Sequence, residues 1–381
     1  MGHYKLKTKG ERTLQYALSA LSMLVLVSDR FTSLGPTFAL VGYFTLIYLV
    51  IQLVDFRRLA ILELSSIALL SSSVAFVAMG SNGDLTIALK YLLLFWILSF
   101  SFFKKRFIED SHLLWMIKVP LLVIVVAGAC QLFLMLLSPG LIIPYLQGHF
   151  RPIGLSVEPT FYSQQLVFLW ILSDLCGLNK GRGKRVLELL IVLLILACAT
   201  RTSMLAMVVF LLFRSSLKTK FVLIFSGALG LPYIFATFDG IGLVRQLGDK
   251  VANIFSISGE PREVALMEML TKVQDLPIFG HGFLRLESSS GLETGALYAN
   301  LFIAITFSMG ILSFVPFLFL FLRIISSSNI TIFMCCSLVI LFSLVMPFLY
   351  TTFGMFVFLS LFSVLGTNLH RHSYSRLQAS T

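Results

Sequence analysis

The sequence predicts an all-α polytopic integral membrane protein, with about 12 transmembrane helices in a single transmembrane domain over residues 1–381. Three observations predict it. Of the 381 residues, 57% are hydrophobic and 12% charged, and mean hydropathy is +0.93. A soluble domain carries about 25% charge. Apolar runs near twenty residues, the length of a bilayer-crossing helix, recur along the whole chain. Lys and Arg concentrate in alternate loops, as the insertion bias toward a basic cytoplasmic side requires. No polar block is long enough to fold alone.

Twelve apolar segments fall at about 14–28, 34–54, 59–80, 85–103, 113–137, 161–178, 186–199, 202–217, 221–237, 296–322, 330–348 and 351–367. The first follows a basic start and mimics a signal peptide, but many spans come after it, so an uncleaved span is expected. The seventh and eighth are short and pair around a tight turn at Thr200–Ser203. With both termini in the cytoplasm, 19 Lys and Arg lie in inner segments and 8 in outer ones. The outer eight are Arg30, Arg151, Arg201, Arg245, Lys250, Arg262, Lys272 and Arg285. Two outer segments then stand out: a short loop over 138–160 and a long hydrophilic loop over 238–295.

Within the long loop, the spacing of Val264, Met267, Leu270 and Val273 predicts an amphipathic helix over 260–274. Pro261 suits its first turn and Pro277 ends it. Such a helix lies on the membrane surface. Gly280-His281-Gly282 then makes a turn.

The net charge of +11 is explained by basic cytoplasmic loops rather than by nucleic acid. The five cysteines fall in or beside apolar runs, without CxxC spacing, and the histidines are not grouped as ligands. No disulfide, metal or other cofactor is expected.

The outer-side charge is mainly arginine, against the insertion bias. Arg151, Arg201, Arg245, Arg262 and Arg285 offer planar forks that suit phosphate oxygens. The alternative is that they pair with Glu158, Glu260, Glu263, Glu287 or lipid headgroups. Arg201 drops between two apolar stretches, where a charge costs about 3 kcal/mol, so it is expected to face a polar cavity rather than snorkel to water. Glu158 precedes Pro159, which pushes its backbone out of the helical region. Its carboxylate then projects from a helix entrance, free to orient or deprotonate a hydroxyl, or to pair with Arg151. His281 is either a base or acceptor-binding group, or a residue of a glycine-shaped turn.

Four stretches in order resemble the O-antigen polymerase and O-antigen ligase superfamily. GLSVEPTFYS (154–163) resembles its Gly…Glu-Pro-Ser/Thr element, and ATRTSMLA (199–206) its Arg-Ser/Thr element at the outer end of a span. REVALMEMLTKVQDLPIFGHGF (262–283) resembles the helix and Gly-x-Gly of its large periplasmic loop. YANLFIAITFSMGILSFVPF (298–317) resembles its closing Asn-containing span. The match covers roughly residues 138–320.

The resemblance implies a GT-C-like glycosyltransferase of the bacterial inner membrane, with its active site on the periplasmic face. Its substrate is an undecaprenyl-diphosphate-linked oligosaccharide, and it uses no nucleotide sugar and no metal. The expected partners are membrane lipids, with no nucleic acid, and a chain-length regulator is left open. Arg201 matches the arginine taken to bind the diphosphate, and Arg262 the one opening the loop helix. With Glu158 these form the expected catalytic set. Arg151, Arg245, His281, Arg285, Tyr298 and Asn300 are the expected substrate-binding set. Ligases carry a histidine directly before the Asn of the closing element, where this chain has Ala299. That moves the expectation from ligase to polymerase and leaves the base open among Glu158, Glu293, His281 or none. A flippase of lipid-linked oligosaccharide is the rival of a different class. It would favour charges deep in the spans and a two-half repeat, and the sequence has no such repeat.

Overall fold

The structure is a computed structural model. It describes residues 9–28, 36–55, 65, 68–69, 71–72, 74–75, 88, 91–96, 104–105, 109–138, 140, 151–156, 158–178, 183–214, 278, 280, 286–287, 293–294, 301–326 and 354. The regular elements among the described residues are helices, apart from two pairs of two-residue strands. Among the described residues one helix, Ser111–Leu137, is long and apolar enough to cross a membrane. Its 27 residues extend about 40 Å, more than a hydrocarbon core. Two shorter apolar helices cover Val41–Gln52 and Thr202–Arg214. The expected spans at 221–237 and 330–348 lie outside the described residues, and those at 59–80, 85–103 and 351–367 mostly so.

The chain divides into two units, Met1–Tyr48 with Ile108–Ser256, and Leu49–Phe107 with Ile257–Thr381. In the second unit, β1 (Val54–Asp55) pairs antiparallel with β2 (Lys104–Lys105), and β3 (Leu286–Glu287) with β4 (Glu293–Thr294). Its long helix α8 (Leu301–Ser326) breaks its regular geometry at Gly310, whose φ is 71°. Gly280, at φ 75°, sits against the backbone of Ser308–Gly310, where a Cβ would collide. Phe95 and Phe317 pack at 5.9 Å between ring centroids. Helix α2 covers Pro36–Leu53.

The first unit is built around α5 (Pro159–Leu175), in which every residue from Tyr162 to Ser173 is buried. It packs against α6 (Gly183–Cys198), α7 (Arg201–Arg214) and α4 (Val119–Leu137). A short α3 (Asp110–Leu113) and one π-helical stretch (Leu114–Lys118) lead into α4, and α1 (Lys9–Val27) packs along them. Helix α5 starts where Pro159 occupies its first turn and stops at Gly177. There φ is 64°, and Gly177 and Leu178 donate back to the carbonyls of Asp174 and Ser173. This glycine-dependent closure satisfies the last carbonyls of the helix. The Lys118 ammonium donates to the Leu178 carbonyl at 3.0 Å.

Because α5, α6 and α7 run up, down and up, their ends form two clusters. At one, Asp174, Lys184, Glu188 and Arg214 make a closed ionic network, with Arg214–Glu188 at 2.7 Å and Asp174 held by both cations at 3.3 Å. The other gathers Glu158, Cys198 and Arg201.

Candidate functional site

The segment 151–156 is irregular, and its backbone polar groups need partners that a helix would have supplied. Gln131 of α4 supplies three of them. Its side-chain oxygen accepts from the backbone N–H of Ile153 at 3.0 Å and of Gly154 at 2.7 Å. Its amide nitrogen donates to the Gly154 carbonyl at 2.8 Å. The Cys198 thiol, at the end of α6, reaches the Pro152 carbonyl at 3.5 Å. Ser28, just past α1, donates to the Leu155 carbonyl at 3.3 Å. A turn closes the segment, with the Ser156 N–H on the Ile153 carbonyl and Gly154 at φ 56°.

Tyr162 fixes the depth of this segment. Its hydroxyl donates to the Ile124 carbonyl at 2.9 Å. Its ring fills the space left by two glycines, Gly128 of α4 and Gly154, and a Cβ on either would overlap it.

One turn into α5, the Ser163 hydroxyl meets the Thr200 hydroxyl and the Ser203 hydroxyl, each at 2.7 Å, and lies 2.9 Å from the Thr160 carbonyl. This cluster ties the N-terminus of α5 to that of α7. Between α6 and α7 the chain turns at Ala199, a non-glycine residue at φ 49°. The expected turn at Thr200–Ser203 is thus corrected: the break lies at Ala199–Thr200, and Arg201 opens α7. Thr200 and Ser203 are drawn into the helix start by their bonds to Ser163.

Of the expected site residues, the structure brings Arg151, Glu158 and the backbone of Arg201 to one end of the first unit. Glu158 stands immediately before α5 with extended backbone, φ −130° and ψ 149°, as its place before proline predicts. Its side chain is half-buried and makes no capping bond to its own helix. Arg151 is half-buried. Among the described residues no ion pair joins the two. Arg245, Arg262, His281, Arg285, Tyr298 and Asn300 lie outside the described residues, as do His149 and the helix expected over 260–274.

Two long helices therefore present their N-termini side by side. Each offers unpaired backbone N–H groups and the positive end of its dipole, an arrangement that favours an anion. A half-buried carboxylate and a half-buried guanidinium flank them. Such a site can hold an anionic group and act on a neighbouring hydroxyl. Sequence reasoning missed Gln131, Tyr162 and the hydroxyls of Ser163, Thr200 and Ser203. A glutamine inside an otherwise apolar span was the available signal, because buried amides in a bilayer need partners.

No family model, curated protein or solved structure matches the chain.

Proposed function

We propose that the protein is a metal-independent membrane glycosyltransferase of twelve-span, GT-C-like architecture. It polymerises undecaprenyl-diphosphate-linked repeat units into O-antigen-type polysaccharide at the periplasmic face of the bacterial inner membrane. The observation that carries this reading is the junction of two motif segments distant in sequence. Ser163 of GLSVEPTFYS hydrogen-bonds both Thr200 and Ser203 of ATRTSMLA. The acid of one motif and the arginine position of the other thereby share one end of a helix cluster.

In the reaction, the acceptor hydroxyl oxygen attacks the anomeric carbon of the donor from the face opposite the diphosphate. The new glycosidic bond forms as the bond from that carbon to the diphosphate oxygen breaks. The electron pair leaves with undecaprenyl diphosphate, and the hydroxyl proton passes to a base. Glu158 orients or deprotonates the hydroxyl. Arg201 and Arg262 stabilise the charge growing on the leaving group, a role for which one donor is worth about 3 kcal/mol.

Purified protein given its native lipid-linked repeat should yield a ladder of longer lipid-linked products. It should do so without nucleotide sugar or ATP, and with a chelator present. Glu158→Gln should slow the ladder far more than it weakens donor binding. Arg201→Ala and Arg262→Ala should abolish it at normal protein levels, with Lys rescuing in part. A deletion strain should carry core lipid capped with one repeat unit. Uncapped core with periplasmic polymer would point to a ligase instead, and single units held on the cytoplasmic side to a flippase.

A further inference from the structure

Gln164 is the one described residue whose whole side-chain amide lies idle. It is 1% exposed, and neither its oxygen nor its nitrogen has a hydrogen-bond partner among the described residues. A buried amide left unsatisfied is costly, so a residue kept in this state points to a partner that the described residues do not supply. Its position on α5 indicates which partner. Residues three and four apart share one face of a helix, so Gln164 lies one turn below Phe161 and Thr160. These two are half-buried, whereas Pro159, Tyr162 and Ser163 around them are buried. The Thr160–Phe161 face is therefore where the first turn of α5 opens. Helical side chains lean toward the N-terminus of their helix, which carries the Gln164 amide up toward that opening.

We infer that Gln164 binds a hydroxyl pair of the sugar repeat unit, with the Phe161 ring packing against the apolar face of the same sugar. An amide presents two donors and an acceptor, the complement of adjacent sugar hydroxyls, each of which both donates and accepts. Glu158 stands at the head of the same helix, so a sugar held at Phe161 and Gln164 has its neighbouring hydroxyl within reach of that carboxylate. Gln164 is thus a specificity residue for the glycan, distinct from the arginines assigned to the diphosphate. The inference rests on the polysaccharide reading above.

The test uses the purified full chain and the free oligosaccharide repeat unit, released from the host's own lipid-linked pool. Calorimetry measures its dissociation constant, independently of turnover. Gln164→Leu removes both polar atoms at similar volume and should leave the thermal midpoint equal or higher, because an unsatisfied amide has been replaced by hydrocarbon. It should weaken the free saccharide about tenfold. It should raise KM for the lipid-linked repeat by a similar factor, with kcat less affected. If Gln164→Leu accumulates poorly, Gln164→Met, unbranched and of equal length, takes its place. A variant that binds the saccharide as tightly as the wild type overturns the inference, since the amide then serves a water or nothing. So does a wild-type protein that does not bind it. The polymerase reading is judged separately, by whether wild type builds the ladder. A ladder with unchanged saccharide binding in the variant sinks the Gln164 inference alone.

Discussion

A methyl group added at Gly154 meets two obstacles at once: the left-handed backbone, at φ 56°, and the ring of Tyr162. Gly154→Ala should therefore destabilise the first unit by about 1–3 kcal/mol and lower the thermal midpoint of the detergent-solubilised protein. An unchanged midpoint would mean that Tyr162 does not lie beneath this turn. A second single-residue effect is electrostatic. The Glu109 carboxyl is held below its usual value, first by the hydrogen bond from the Tyr16 hydroxyl, which outweighs the opposing effect of desolvation, and then by the Arg12 charge. A lowered carboxylate pKa contributes stability above the unfolded value and loses it as pH falls through the folded value. Wild type should accordingly be more stable than Tyr16→Phe at neutral pH, and the difference should vanish as pH drops below the ordinary value of 4.5. A gap that persisted or grew in acid would refute this. Glu109 is exposed, so the effect is expected to be small.

At the scale of elements, α5, α6 and α7 are fastened at both ends, by hydroxyls at the site and by charges at the far end. The ionic network is only partly exposed, with Asp174 at 17% and Arg214 at 30%. Arg214→Ala leaves Asp174 and Glu188 with Lys184 alone. The coupling of Arg214 to Asp174 in a double-mutant cycle should exceed the ~0.5 kcal/mol typical of exposed pairs. Unfolding in a graded series of denaturing detergent reads this directly, and additive losses would show that the network carries nothing. The elements also show what the sequence makes legible. Glu158-Pro159 marked the break before α5, because proline constrains both itself and the residue before it, although the helix Pro159–Leu175 begins two residues before the expected span at 161–178 and ends three before its close. The helix ends at Val27 and Leu137 fell within a residue of where the apolar runs stop. What could not be read were features set by distant partners. The start of α7 at Arg201 depends on Ser163, 37 residues from Thr200. The course of 151–156 depends on Gln131, more than 20 residues upstream. The break at Gly310 falls inside what reads as one apolar span, since periodicity in a uniformly apolar run carries no such signal.

For the whole molecule, the alternation of basic loops predicts a topology that can be tested without any substrate. In a cysteine-free background, single cysteines in 238–295 should be labelled from the periplasm and those in 179–185 should not. Outside labelling of 179–185 would overturn the orientation, and with it the periplasmic site. The ring of Tyr162 has a consequence of another kind, for how such chains diverge. Gly128 lies within a regular helix, so only the tyrosine keeps that position small, whereas at Gly154 the backbone also forbids a side chain. Across related sequences, positions 128 and 162 should therefore drift as a linked pair, larger at one where smaller at the other. Position 154 should stay glycine regardless of what happens to its neighbours. Descent would then record the packing of this helix pair in which changes travel together and which never occur.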